Sequence, residues 1–193
     1  MREPRRCPRV LEGGLNAADT LGAVVHRLPE RRQELPASPG PKLAPDVTAG
    51  GTVPTLFSRI IEGEIPGRFV WTDEQCVAFL SISPLRLGHA LVVPRQEIDQ
   101  WTDAADDVLT HLALVAKQIG AAQKTAFQAP RAGVVVAGFE VPHLHVHVFP
   151  SWGIDDFDFG RADSEPDPVE MDRAQEKLRR ALREAGHGER VPD

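Results

Sequence analysis

Cysteine is scarce in this chain of 193 residues, which contains only Cys7 and Cys76. Two cysteines so far apart do not make a disulfide framework, and they are typical of a protein kept in a reducing compartment, most simply the cytoplasm. Long apolar runs are also absent: no stretch reaches about 18 apolar residues, so we predict no membrane span. The arginines near the start are not followed by an apolar segment, which argues against a secretory signal.

A surplus of positive charge is missing too. The chain has 22 Lys and Arg against 28 Asp and Glu, a formal net charge of −6. General affinity for nucleic acid depends on Lys and Arg that neutralise phosphates, so this balance argues against a nucleic-acid partner. Hydrophobic residues make up 41% of the chain, which is enough for one domain with a real core.

Residues 1–54 differ in composition from the rest. Prolines recur there, and the one apolar cluster, TLGAVVHRL, is too short to offset the entropy lost on ordering. We therefore predict a disordered N-terminal extension, followed by a domain at 55–160 and a C-terminal loop and helix at 161–193. A second interpretation is an over-extended reading frame, because Val53 precedes the first amphipathic segment and valine can correspond to an alternative start codon.

From residue 55 onward the pattern predicts an α+β domain. The segment 55–61 has the spacing of a short amphipathic helix with Thr55 as its N-cap. A long helix is predicted after Thr102 or Asp103, and a last one after Asp167. Five short β-rich runs are expected at 68–71, 76–81, 89–94, 132–138 and 143–149. Their order favours a five-stranded antiparallel sheet with the helices on one face.

The most distinctive motif is HLHVHVF at 143–149. Alternate side chains of a strand share a face, and residues two apart are separated by roughly 6.6 Å. His143, His145 and His147 would then point to one side, with the intervening apolar residues in the core. Such a row suits two chemistries: a zinc site completed by a ligand from elsewhere, or nucleophilic catalysis by a neutral imidazole.

Together with GHALVVP, AGFEVPHLHVHVFP and FSRIIEGEIPGRFVWTDEQCVAFLSISP, this motif makes the chain resemble the histidine triad (HIT) family over roughly residues 55–151. The chain is most similar to the Hint-like and uncharacterised bacterial branch. The resemblance implies a compact α+β homodimer that binds a purine nucleotide or nucleotide conjugate. It also implies hydrolysis or transfer of a nucleoside monophosphate through a nucleotidyl-histidine, without a metal cofactor.

The same resemblance implies roles for individual residues. His145 matches the nucleophile, His147 the residue that contacts the phosphate and the leaving group, and His143 the histidine that supports the site through hydrogen bonds. His89, in GHALVVP, matches the upstream histidine that completes the cluster. Four apolar residues match the lining of a base pocket, although plain core packing would explain them equally well: Leu56, Phe57, Ile60 and Phe79.

Some positions depart from the family pattern. Ser81 stands where many members have an acid that binds the ribose, and Ala137 stands where they have an asparagine. Gly138 is followed by Phe139 and Glu140 instead of glutamine and serine or threonine. A Glu140 carboxylate facing a phosphate would repel it; alternatively it is protonated, points away or positions a substrate amine. Three functions therefore stay open: a nucleotidyl hydrolase or transferase, a catalytically weak nucleotide-binding protein, and a metal-dependent hydrolase.

The loop after the triad offers a candidate rim for the site. Trp152 and Phe157 are close to the histidines in sequence, and we expect them to cover its edge.

Overall fold

The computed structural model of the chain describes residues 53–193. The predicted N-terminal extension therefore lies outside the described residues, apart from its last two positions. The choice between an extension and a later start at Val53 stays a prediction. Among residues 53–193, no helix is both long enough and apolar enough to cross a membrane.

Five strands form one antiparallel sheet in the order β1-β2-β3-β5-β4. This arrangement confirms the predicted fold class. The strands are β1 (Phe69–Thr72), β2 (Cys76–Leu80), β3 (Ala90–Pro94), β4 (Arg131–Val135) and β5 (Val146–Ser151). The sheet places β5, which carries the end of the histidine motif, between β3 and β4.

The helices are α1 (Leu56–Ile61), α2 (Asp106–Phe127) and α3 (Pro168–Leu182). The prediction that they share one face of the sheet is wrong. Ala78 and Leu80 of β2 belong to the core with α2 and α3, whereas Val77 and Phe79 belong to a second cluster with α1. All residues of β2 and β3 are buried, because both faces of these strands are covered. Strands covered on both faces are apolar throughout and show no alternation of polar and apolar residues.

The predicted N-caps are correct for two of the three helices. Thr55 caps α1 by accepting a hydrogen bond from the Ser58 N–H, and Asp167 caps α3 by accepting one from Val169. The predicted cap of α2 at Thr102 or Asp103 is wrong, since a separate 3₁₀ turn spans Trp101–Asp103 and α2 starts only at Asp106. Acids crowd both the short turn and the first turn of the helix, so charge pattern alone does not separate them.

A buried carboxylate joins the β1–β2 hairpin to α2. Asp73 accepts hydrogen bonds from Trp71 Nε1 at 2.8 Å, the backbone N–H groups of Gln75 and Cys76, and His111 Nε2 at 2.9 Å. Burial alone would raise the pKa of Asp73, but these hydrogen bonds hold it at about 2. The Cys76 thiol is fully buried beside this carboxylate, and burial followed by the Asp73 charge raises its pKa strongly. The cluster closes the hairpin and fixes it against the helix.

Candidate active site

A cavity of about 560 Å³ opens on the face of the sheet that carries α1. Its floor is formed by the apolar side chains of α1 and the outer faces of β2 and β3, and three imidazoles line one side: His89, His145 and His147. The cavity therefore brings His89 together with His145 and His147, which are far from it in sequence. His143 is completely buried and does not line it.

Within the histidine motif, ladder pairing of β5 begins only at Val146. His143 and His145 therefore precede the strand, which corrects its predicted start. The predicted division of the two faces is confirmed, because Leu144, Val146 and Val148 all belong to the core with α2 and α3.

The hydrogen-bond partner of His145 determines which ring nitrogen carries its proton. Its Nδ1 lies 2.7 Å from the carbonyl oxygen of His143. A carbonyl can only accept, so Nδ1 carries a proton, and the neutral tautomer of this ring has its free lone pair on Nε2. His145 is 5% exposed, and its ring packs edge-to-face on Phe57, with 5.0 Å between the centroids. The neutral tautomer of His145 thus presents Nε2, the nitrogen with the lone pair, from a ring held by packing and a hydrogen bond.

The tautomers of His89 and His147 follow from a chain of two hydrogen bonds. The backbone N–H of Leu85 donates to His89 Nδ1 at 3.1 Å, so a neutral His89 carries its proton on Nε2. That nitrogen lies 3.0 Å from His147 Nδ1, which must accept. His147 then has its own proton on Nε2, and it is a donor toward the cavity.

Burial keeps this pair neutral. It lowers the pKa of His89 to about 3, with further lowering from the adjacent His147 and His145 imidazoles. It lowers the pKa of His147 to about 4, again helped by His145. The tautomers deduced above are therefore those of the protein near neutral pH.

His143 has a different position from the other three histidines. Its Nε2–H donates to the carbonyl of Pro94 at 2.9 Å, and its Nδ1 accepts from the Thr55 hydroxyl at 2.7 Å. Burial lowers its pKa, which is consistent with a neutral ring. Because Thr55 also caps α1, His143 ties that helix to β3, and its carbonyl fixes the tautomer of His145. It supports the site without reaching the cavity.

The predicted base-pocket residues Leu56, Phe57, Ile60 and Phe79 all line the cavity. Three of them are also core residues of the α1 cluster, so the two interpretations are compatible. Ser81 lines the cavity, but its hydroxyl donates to the Ser83 carbonyl and accepts from the Ser83 N–H, both at 3.2 Å. Glu140 lines it as well, whereas Gly138, at a left-handed φ of 76°, does not.

Several lining residues were missed from the sequence. Phe159 packs against the His147 ring with 4.9 Å between centroids, while Phe157 packs on Phe149 instead. The expectation that Trp152 and Phe157 form the rim is wrong, because neither lines the cavity.

Arg68 and Asp172 line the cavity too, and they form an ion pair of 2.7 Å. No local pattern in the sequence predicts that α3 contributes to the cavity.

Comparison with known proteins gives a consistent result. The HIT domain family profile matches residues 62–153. An uncharacterised HIT-like protein of Methanocaldococcus jannaschii is 37% identical over 103 residues, which cover 50% of this chain and 78% of the relative. One from Saccharolobus solfataricus is 33% identical over 105 residues, or 52% and 76% of the two chains.

Solved structures with the same fold include two that are described as histidine triad proteins. A zinc-bound histidine triad family protein of Mycobacterium smegmatis superposes with a TM-score of 0.60 at 25% identity, covering 69% of this chain and 96% of that one. A hypothetical histidine triad nucleotide-binding protein of Sulfolobus tokodaii gives a TM-score of 0.57 at 30% identity, covering 66% and 91%.

Proposed function

Because the chain belongs to the HIT domain family, we propose that it is a nucleotidyl hydrolase or transferase acting on a purine nucleotide or nucleotide conjugate. One observation carries the proposal: His145, whose Nδ1 is hydrogen-bonded to a carbonyl, lies in a cavity with its ring 4.8 Å from that of His147, whose Nε2 carries the proton. In the neutral tautomer His145 Nε2 is a nucleophile, and His147 Nε2–H is a hydrogen-bond donor for a phosphoryl oxygen or a leaving group. The apolar floor next to them suits a nucleobase.

The reaction takes place in two displacements. His145 Nε2 forms a bond to the α-phosphorus, and the bond from that phosphorus to the leaving group breaks. His147 Nε2–H donates a hydrogen bond to a phosphoryl oxygen, and His89 holds that tautomer through the 3.0 Å hydrogen bond. The leaving group departs with the bonding electron pair and takes its proton from solvent. The oxygen of water, or of another hydroxyl acceptor, then forms a bond to the phosphorus as the bond to His145 Nε2 breaks, and the acceptor's proton passes to solvent. One difficult step is thereby divided into two easier ones.

Two observations bear on the alternatives left by the sequence. Glu140 lines the cavity and Ser81 is engaged by Ser83, which favours a second candidate function, a nucleotide-binding protein with weak turnover. A metal-dependent enzyme using the same histidines is less well supported. Both ring nitrogens of His143 and of His89 are already engaged within the protein, leaving two imidazole nitrogens for the cavity.

The covalent step predicts a modified protein. Mixing the chain with adenosine 5′-phosphoramidate should give a transient adduct of one nucleoside monophosphate, detectable by intact mass spectrometry under neutral denaturing conditions. AMP, which lacks a good leaving group, is the matched control and should give no adduct. A panel of nucleotide conjugates that are bound but neither cleaved nor attached would replace this function with the binding-protein alternative.

We also propose that the protein is a homodimer. An apolar groove of about 410 Å³ runs between α2 and β4, the edge strand next to β5, and Trp101, Val134 and Val136 are exposed along it. A second copy would cover both this groove and the free strand edge. Light scattering at micromolar concentration should give about twice the chain mass. Val134→Arg places a charge in the groove and should give a monomer. Val169→Arg, on α3 and outside the groove, is the control and should remain a dimer. A monomeric parent would contradict the proposal.

A further inference from the structure

The stretch that carries His143 and His145 is held by hydrogen bonds from outside the sheet. Both residues precede β5 and pair with no strand among residues 53–193, although buried backbone groups need hydrogen-bond partners. The Leu144 N–H donates to the Ile98 carbonyl at 2.6 Å, and the His143 ring donates to the Pro94 carbonyl at 2.9 Å. Pro94 is the last residue of β3 and Ile98 follows soon after it, so the segment after β3 holds the backbone next to the nucleophile.

Glu97, in the same segment, joins it to the start of α1. The Thr55 N–H donates to Glu97 Oε1 at 2.9 Å, and the Ser58 hydroxyl donates to the same oxygen. The hydrogen bond from Ser58, followed by that from Thr55, holds the pKa of Glu97 below its usual value, so the carboxylate is ionised at neutral pH. Helix α1 has only 6 residues, and a helix this short is not stable by itself. Its position therefore depends on contacts such as these.

Helix α1 contacts the nucleophile in two ways. The Thr55 hydroxyl donates to His143 Nδ1 at 2.7 Å, and the carbonyl of His143 accepts from His145 Nδ1–H at 2.7 Å. The ring of Phe57 packs on both imidazoles, with 5.0 Å between its centroid and that of His145 and 5.9 Å to that of His143. A shift of α1 would therefore change both the hydrogen bond that sets the tautomer of His145 and the packing that holds its ring.

We propose that Glu97 is a positioning residue for the nucleophile His145. It fixes the start of α1 through Thr55 and Ser58, and α1 in turn orients the imidazole. The inference rests on the proposed function, since that function makes His145 the nucleophile. Glu97 does not line the cavity, so it acts through geometry and not through contact with the substrate. Displacement of a reacting group by about 1 Å can cost about 10²-fold in rate, and we expect about a tenth of that cost when this one restraint is lost.

Three variants of the full chain test the inference by turnover of adenosine 5′-phosphoramidate. Glu97→Ala removes the acceptor and should lower kcat about tenfold. Glu97→Gln keeps a side-chain carbonyl that can accept both hydrogen bonds, and it should keep most of the parent's kcat. Glu62→Ala, which removes an exposed acid at the other end of α1, is the control and should match the parent. Glu97 is itself exposed, so its replacement leaves the core intact.

NMR of ¹⁵N-labelled histidines separates positioning from general destabilisation. The His145 signals, assigned by their loss in His145→Ala, should show one neutral tautomer with its proton on Nδ1 in the parent. In Glu97→Ala the ring should populate both tautomers, whereas Glu97→Gln and Glu62→Ala should keep the parent pattern. A purely structural role would lower the unfolding midpoint of Glu97→Ala without changing this pattern at a temperature where every variant is folded.

The outcomes separate this inference from the function on which it rests. Parent-like kcat or an unchanged His145 pattern in Glu97→Ala would overturn the inference and leave the nucleotide function standing. Glu97→Gln as slow as Glu97→Ala would overturn it too, because acceptance of the two hydrogen bonds would then not be what matters. If the parent turned over no nucleotide but Glu97→Ala lost the single tautomer, the proposed function would fail and the positioning of the ring by Glu97 would be supported.

Discussion

Replacing His145 with alanine is expected to lower turnover of a nucleoside phosphoramidate by about 10⁴-fold or more, because the covalent route loses its nucleophile. The basis is the tautomer of this ring. A backbone carbonyl fixes the proton on Nδ1, so the neutral ring has its lone pair on Nε2, the nitrogen that attacks. Steady-state kinetics of the variant, together with the mass adduct described above, would measure the effect.

Two further measurements make this result specific. His147→Ala should slow the reaction by a smaller factor, about 10² to 10⁴, as for a positioned group that donates a hydrogen bond in the transition state. Nucleotide affinity and the unfolding midpoint of His145→Ala should stay near those of the parent, since the lost hydrogen bond to the His143 carbonyl is worth only about 1 kcal/mol. Parent-like turnover in His145→Ala would rule out the covalent mechanism.

Mild acid should destabilise the protein strongly. His89 and His147 have folded-state pKa values of about 3 and 4, below the ordinary value of about 6.5 that they have in the unfolded chain. The unfolded chain therefore binds more protons once the pH falls below about 6.5, and each histidine then costs about 1.4 kcal/mol of stability per pH unit. Because the unfolded-state histidines are only half protonated at pH 6.5, for the two together we expect a loss of about 3 kcal/mol between pH 6.5 and pH 5.

Urea unfolding at pH 8, 7, 6 and 5 would measure this loss. The stability contribution is fully present above pH 6.5 and continues to fall until the pH reaches the folded-state values. His89→Gln removes one of the two buried imidazoles and should flatten the profile, whereas His187→Gln, outside the cavity, should leave it steep. An equal free energy of unfolding for the parent at pH 8 and pH 5 would show that the pair is not held neutral.

Local patterns in the sequence predicted the parts of the fold that local chemistry determines. Thr55 and Asp167 are caps because their side chains accept from nearby backbone N–H groups. The alternation of histidine and apolar residues around Val146 predicted the cavity face and the core face of β5. The distribution of helices over two faces was missed, because uniformly apolar β2 and β3 carry no information about sides.

The site was predictable where its residues lie in the histidine motifs, and not where tertiary structure supplies them. Asp172 lines the cavity from α3, which Gln175 and Arg179 attach to the backbone of β1. The role of His143 depends on Pro94 and Thr55, neither of which is near it in sequence. Ser81 lines the cavity, but a two-residue turn to Ser83 engages its hydroxyl. Serine is common both in such turns and in binding sites, so the sequence pattern does not tell the two roles apart.

The reactivity of the buried Cys76 thiol, beside Asp73, can be used to measure local opening of the protein. A thiol reagent reacts with the thiolate, and Cys76 is both inaccessible and held protonated while the β1–β2 hairpin stays closed on α2. Cys76 can be modified only in molecules in which that hairpin has separated. The modification rate at this one residue, compared with the rate in denaturant, therefore gives the free energy of opening at the edge of the sheet that adjoins Arg68. Measured with and without nucleotide, it would report how far a ligand in the cavity stabilises the hairpin.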